Sequence, residues 1–271
     1  MRVSIDQLVQ EFLINGYVVF EDFIPTAKAE ALHAELLPML ERVRARNSRV
    51  LSGDLDTGRG RVTEPLRYKI ETPWRMPFSD PALYENATVL QLLERLWGSR
   101  DFLISDYISY HPCPGCGVMN WHWDGELFAA NVVLPAFPSL SLKIALVDTN
   151  DQNGSFELLP STHHCGVPEL SHVPGSGGAH NLNRLIESGR YPSRMRLNLK
   201  RGSAYICDAR VIHRGTPNRS DHVRMELDIG YRLSWYDPRN HPIGMTHRDF
   251  EELSERGKQL LSLSQRLEAL N

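Results

Sequence analysis

The sequence predicts a mainly β fold with flanking α-helices, and three observations carry that expectation. From residue 101 onward, short runs with period-two alternation recur between turn residues, as in a barrel or a sandwich. Before residue 100, apolar residues recur instead at helical spacing. Glycine (19) and proline (17) are spread through the 271 residues, which suits many short strands joined by turns.

The elements follow in order. Ser4 is placed to cap a helix over residues 5–15, with Gly16 as its stop. Residues 17–20 form a short β-rich run. Pro25 opens a second helix on which Ala31, Leu32, Leu36, Leu37 and Leu40 share a face. Residues 47–66 read as a loop, dense in Gly, Asp and Ser. A third helix is expected over residues 81–97, ended by Gly98. Strands are expected over 102–110, 140–147, 155–159, 204–207 and 223–233. Residues 165–198 interrupt them with Gly, Asn and Arg, a length that suggests a lid or a substrate-contacting insertion. A last helix is expected over about 246–270. The whole reads as one domain over 1–271: a helical part over 1–100, a β core over 101–235 and the terminal helix.

Composition narrows the class. The chain is 41% hydrophobic and 23% charged, with net charge −3. That balance gives no footprint for nucleic acid or a membrane surface. No stretch approaches the roughly 20 apolar residues of a membrane span, and no leader-like run opens the chain. Four cysteines are too sparse for a secreted disulfide scaffold, so a reducing cytoplasm is expected.

Two segments carry the chemistry. Residues i and i+2 of a strand face one side, so His122 and Asp124 can present an imidazole and a carboxylate to one metal, with Trp121 and Trp123 turned away. An isolated His-x-Asp is common and says little alone. His213, 91 residues later, can return from a distant strand to complete two histidines and one carboxylate on one face of a metal. That set leaves positions open and describes a non-haem Fe(II) oxygenase site. A zinc hydrolase using the same triad is the alternative metal reading. Glycine or alanine in place of Asp124 would open a site for halide; with aspartate, hydroxylation or a related oxidation is expected.

Eleven residues after His213 comes Arg224, in a run that alternates strictly. Val223, Met225, Leu227, Ile229, Tyr231 and Leu233 share one face; Arg224, Glu226, Asp228 and Arg232 share the other. Either the second face is solvated, or Arg224 points into a barrel beside the metal. There its planar fork can hold a distal carboxylate with two parallel hydrogen bonds. 2-Oxoglutarate suits both ends: a 2-oxo acid to chelate iron and a carboxylate for Arg224, with one position left for O₂.

The chain resembles the phytanoyl-CoA dioxygenase family of Fe(II)/2-oxoglutarate oxygenases. Trp121-His122-Trp123-Asp124-Gly125 is one segment of the likeness. A second runs from Ala145-Leu146-Val147-Asp148 through Asn153-Gly154 to Pro160-Ser161-Thr162-His163. The third runs from Arg201-Gly202-Ser203 through His213 and Pro217-Asn218-Arg219-Ser220 to Arg224. The opening, Phe12 through Phe23, is similar too. The resemblance implies a double-stranded β-helix (a jelly-roll, cupin-like core). It also implies His122, Asp124 and His213 as iron ligands and Arg224 as the 2-oxoglutarate anchor. Thr216 is a further co-substrate candidate, with Ser109 and Arg67 behind it. His111-Pro112-Cys113-Pro114 stands where family members often have lysine-proline-proline.

Other residues are weighed against plainer roles. Cys113-Pro114-Gly115-Cys116 is a single C-x-x-C and reads as a turn rather than a zinc site. His163 and His164 read as a turn after Asn153-Gly154. Trp123, Phe128, Phe137 and Trp235 are pocket or core. Arg184, Arg190, Arg194, Arg196 and Arg201 are either a binding surface for an anionic small-molecule substrate or a solvated lid face. A silent metabolite-binding barrel is the non-enzymatic alternative.

Overall fold

The computed structural model describes residues 4–47, 60–124, 135–164, 178–189, 193–236 and 243–267. Phe128 and Arg190 lie outside them, as do residues 48–59 of the expected loop.

Helix α1 (Ile5–Asn15) opens with a capping box in which Ser4 accepts from the Gln7 amide and the Gln7 side chain accepts from Ser4 N–H. It ends at Gly16, whose φ of 81° is left-handed. Strand β1 (Tyr17–Phe20) leads to α2 (Thr26–Asn47). Next comes a hairpin: β2 (Gly60–Glu64) falls inside the expected loop and β3 (Arg67–Glu71) just after it, and Leu66 turns it at φ 62°. The expected third helix is two, α3 (Pro81–Tyr84) and α4 (Ala87–Trp97). Asn86 breaks it, because its side chain accepts from Thr88 and Val89 N–H and so caps a new helix.

The strands then follow as β4 (Phe102–Pro112), β5 (Ser139–Ala145), β6 (Phe156–Leu158), β7 (Met195–Leu197), β8 (Ala204–Asp208), β9 (His213–Gly215) and β10 (Glu226–Leu233). Helix α5 (Gly178–Glu187) lies between β6 and β7. The expected insertion over 165–198 is therefore shorter, since β7 pairs with β6 and belongs to the barrel. Strand β10 starts at Glu226, later than residue 223, although the Arg224 amide already donates to the Pro112 carbonyl.

The expected last helix is also corrected. Strand β11 (Gly244–Thr246) is followed by α6 (His247–Glu251), α7 (Glu255–Leu260) and β12 (Gln265–Leu267), which pairs parallel to β11. Thr246 and Ser254 each cap a separate helix, so polar caps override the leucine spacing.

The larger sheet runs β1-β8-β5-β10-β4-β3-β2 and the smaller β7-β6-β9, which an isolated bridge between His122 and His213 extends. Two sheets interleaved in this order are a double-stranded β-helix. On β10, Leu227, Ile229 and Tyr231 join Leu140, Leu142 and Ile144 of β5 in one buried core with Leu32, Leu36 and Leu40 of α2 and Leu92, Leu93 and Leu96 of α4. Each such side chain contributes about 1.5–3 kcal/mol on burial. The alternate residues face the space between the sheets, and there the site lies.

Gly16 ties the helical layer to this barrel. A Cβ at Gly16 would sit 2.4 Å from Val211 Cγ2 and 2.5 Å from His163 Nδ1. Left-handed φ costs a non-glycine residue about 1–2 kcal/mol, and overpacking costs about as much again. Gly16→Ala is expected to lower stability by about 3 kcal/mol, or about 6 °C in Tm, in a thermal melt. An unchanged melt would mean that α1 is not fixed to the barrel here.

Candidate active site

His122, Asp124 and His213 come together in space. One ligand atom from each lies within 4.8 Å of the others, a group that could hold a metal ion. Asp124 carboxylate oxygens stand 3.7 Å from His122 Nε2 and 3.3 Å from His213 Nε2. The two backbones are locked by paired hydrogen bonds, His122 N–H to the His213 carbonyl and His213 N–H to the His122 carbonyl. Each ring donates its Nδ1–H to the carbonyl two residues earlier, of Asn120 and Val211, both at 2.8 Å. A carbonyl can only accept, so Nε2 of both rings is left bare for a metal. Phe156 stacks on His213, with ring centroids 4.9 Å apart. Burial lowers the His122 pKa, and His213 adds to the fall. For Asp124, the surrounding protein raises the pKa, but His213, Lys143 and His122 outweigh it and hold the carboxyl below the usual range. Both groups are thus in their metal-binding protonation states near neutrality.

The loop before His122 is clasped from outside. Asn183 of α5 accepts from the Trp121 amide and donates to the Asn120 side chain. Trp121 is buried with Leu159, Leu182, Ile186 and Ile212, turned away from the cluster as the alternation predicts.

A cavity of about 220 Å³ opens beside the cluster, lined by His122, Asp124 and His213 and by Arg67, His111, Arg224 and Glu226. Arg224 is 4% exposed, so the second face of its run points inward and is not solvated. Its Nε and Nη1 make no hydrogen bond, although Nη1 is ion-paired with Glu226. Arg67 donates to the Gly117 and Thr216 carbonyls, both at 2.7 Å. Gly215 leaves it room, since a Cβ there would meet Arg67 Nη1 at 2.8 Å. Burial lowers the Arg67 pKa, and the Arg224 charge lowers it further. Burial, with His33 and Arg224, takes His111 down to about 3, so it is neutral.

Thr216 and Ser109 are committed elsewhere and do not line this cavity. The Thr216 hydroxyl donates to the Ser155 carbonyl at 2.7 Å, and Ser109 Oγ lies 2.8 Å from His111 Nε2 and donates to the Ile70 carbonyl.

A second cavity of about 120 Å³ adjoins the first through Asp124, Lys143, Phe156 and His213. Ser139, Ser141, Cys207, Asp208, Ala209, Phe137 and Tyr236 complete its wall. Lys143 escaped the sequence reading. The run Ser139-Leu140-Ser141-Leu142-Lys143-Ile144 alternates polar and apolar, and that signal was available to place Lys143 on an inward face. Asp228, opposite Lys143 in the register, is 3% exposed. Burial raises its pKa to about 6 against the pull of Lys143. A raised carboxyl contributes stability below its unfolded value near 4 and loses it as pH rises through about 6. Asp228→Asn, neutral throughout, is expected to match the native chain at pH 4 and exceed it by about 2 kcal/mol at pH 7, read by denaturant unfolding. Parallel pH profiles would sink this.

The remaining candidates lie apart. His163 and His164 both point Nε2 at the Leu13 carbonyl. Cys113 and Cys116 are buried free thiols joined by a turn, and among the described residues no metal-holding group includes them. Arg196 pairs with Glu157 and Asp151, Arg201 pairs with Glu30, and Arg194 donates to the Ile186 carbonyl. Phe137 lines the second cavity, while Trp235 is exposed. No helix among the described residues is long and apolar enough to cross a membrane.

Fold and cluster together define a class, the double-stranded β-helix proteins with a two-histidine, one-carboxylate centre. Within it, the family model described as phytanoyl-CoA dioxygenase matches residues 12–225, and the chain belongs to that family. It is a family of iron- and 2-oxoglutarate-dependent oxygenases, and membership favours that chemistry over a zinc hydrolase or a silent barrel.

An ectoine dioxygenase of Halomonas elongata is 28% identical over 166 residues, 59% of this chain and 46% of that protein. An ectoine dioxygenase of Nocardia farcinica is 26% identical over 226 residues, covering 79% and 72%. The chain thus aligns with about half the length of the Halomonas relative. Among solved structures, the non-haem α-ketoglutarate-dependent carbocyclase SnoK from nogalamycin biosynthesis superposes with a TM-score of 0.60 at 18% identity, covering 85% of this chain and 84% of that one.

Proposed function

We propose that this protein is an Fe(II)- and 2-oxoglutarate-dependent dioxygenase, one domain over 1–271. It oxidises a C–H bond of a small-molecule metabolite, by hydroxylation in the simplest case, and releases succinate and CO₂. The observation that carries this reading is a metal-competent triad and a buried, under-bonded arginine in one cavity. His122, Asp124 and His213 would hold the iron. The donor set fits: two bare imidazole nitrogens and one carboxylate on one side, with open space on the other. Arg224 would grip the distal carboxylate of 2-oxoglutarate.

Bound iron with 2-oxoglutarate and O₂ supplies the oxidising power. The chain supplies the rest. The Asn120 and Val211 carbonyls orient the two imidazoles, and Phe156 fixes the His213 ring. Arg67 adds positive charge beside Arg224, while Thr216 braces the loop behind Gly215. Asp124 marks oxygen transfer rather than halogenation. The ectoine relatives support a small polar substrate.

The test is calorimetric binding of 2-oxoglutarate to the Mn(II)-loaded protein, followed by Fe(II)-dependent succinate release over a metabolite screen. A fully metallated protein that neither binds nor turns over 2-oxoglutarate would overturn the reading.

A further inference from the structure

We propose that Lys143 anchors a monoanionic oxyanion group, such as a carboxylate, on the primary substrate, with the smaller cavity as its subsite. This rests on the oxygenase reading and names the substrate class for it.

Lys143 lies in the wall between the two cavities and lines both, beside Asp124 and His213. Its ammonium sits 5.2 Å from the Phe156 ring centroid and 5.6 Å from that of Tyr110. Among the described residues it makes no hydrogen bond and no ion pair. An ammonium carries three donors, and the half-buried Lys143 turns them towards the cavity rather than to a protein acceptor. The aromatic faces attract the charge but supply no acceptor.

Charge points the same way. Arg67, Arg224 and Lys143 line the larger cavity against Asp124 and Glu226. Glu226 is taken by Arg224, and Asp124 would be taken by the metal. Lys143 is the one lysine or arginine that lines the smaller cavity among the described residues; Asp228 stands opposite it in the register, and Asp208 in the same wall is held by Arg210. Ser139, on the same face of β5, adds a hydroxyl donor, while the Ser141 hydroxyl is bonded to Asp228. The position is next to the metal cluster, so an anion held there places its neighbouring carbons within reach of oxidation.

The experiment uses the full chain loaded with Mn(II) and 2-oxoglutarate. Acetate is the probe, and paramagnetic relaxation of its methyl protons by Mn(II) is the readout. Native protein should show saturable relaxation. Lys143→Met should weaken acetate binding about tenfold or more, the loss of one charge-assisted hydrogen bond. Lys143→Arg should retain most of it, and calorimetric 2-oxoglutarate affinity should change little in either variant.

Equal acetate relaxation in native protein and Lys143→Met would overturn the proposal, as would none in the native protein. Lost 2-oxoglutarate affinity with acetate binding intact would assign Lys143 to the co-substrate instead. Failure of the native chain to bind Mn(II) or 2-oxoglutarate would count against the oxygenase reading itself, and the proposal would fall with it.

Discussion

Arg224→Ala should weaken 2-oxoglutarate binding by two to three orders of magnitude, about 3–4 kcal/mol, while Mn(II) affinity stays within a few fold. The magnitude follows from burial. At 4% exposure the guanidinium meets a carboxylate with little competing water, and removing one partner of such a pair costs about 3–5 kcal/mol. Two effects add to the loss. Glu226 keeps its charge but loses its ion-pair partner, so the cavity becomes repulsive to a dianion. Arg67 cannot replace the fork, because one of its arms is held by the Gly117 and Thr216 carbonyls. Arg224→Lys should recover part of the affinity, as a point charge without two parallel bonds. The double variant Arg224→Ala/Glu226→Gln should recover part of it by removing the repulsion. Equal loss of metal and 2-oxoglutarate binding in Arg224→Ala would make Arg224 a structural residue.

His213→Ala should abolish turnover and weaken metal binding by more than the roughly 10–100-fold typical of losing a partner that merely orients a ligand. His213 contributes a bare Nε2 from an imidazole held on both sides, by its Nδ1–H bond to the Val211 carbonyl and by the Phe156 ring. Alanine would leave His122 and Asp124, two of the three proposed ligands. The main-chain bonds between residues 122 and 213 do not involve the side chain, so the strand pairing should survive. Metal titration under anaerobic conditions and circular dichroism separate the two effects. Native-like metal affinity in His213→Ala would mean that the metal is held elsewhere.

These residues were legible in the sequence to different degrees. Strand period puts His122 and Asp124 on one side but says little alone; His213 and Arg224 gain their weight from order, spacing and the family resemblance together. Helix α1 was legible because Ser4, Gln7 and Gly16 are local signals acting on their own backbone. The hairpin β2–β3 was not, because its pairing partner is β4, distant in sequence. Leucine spacing looks helical across the two capping residues Thr246 and Ser254, which hides the breaks in the terminal segment. The insertion is shorter than the sequence suggests because β7 is only three residues and takes its identity from β6.

Local order carried the candidate ligand types, the alternation of each strand and the family resemblance. Tertiary structure alone decided which polar faces turn inward. Arg224, Glu226 and Lys143 are as polar as any surface residue, and period two states only that such residues share a side. The helical layer packs on the apolar side of the large sheet and leaves the other side facing the smaller sheet. That closure removes water from the charges and turns an ordinary alternating strand into the wall of a binding site.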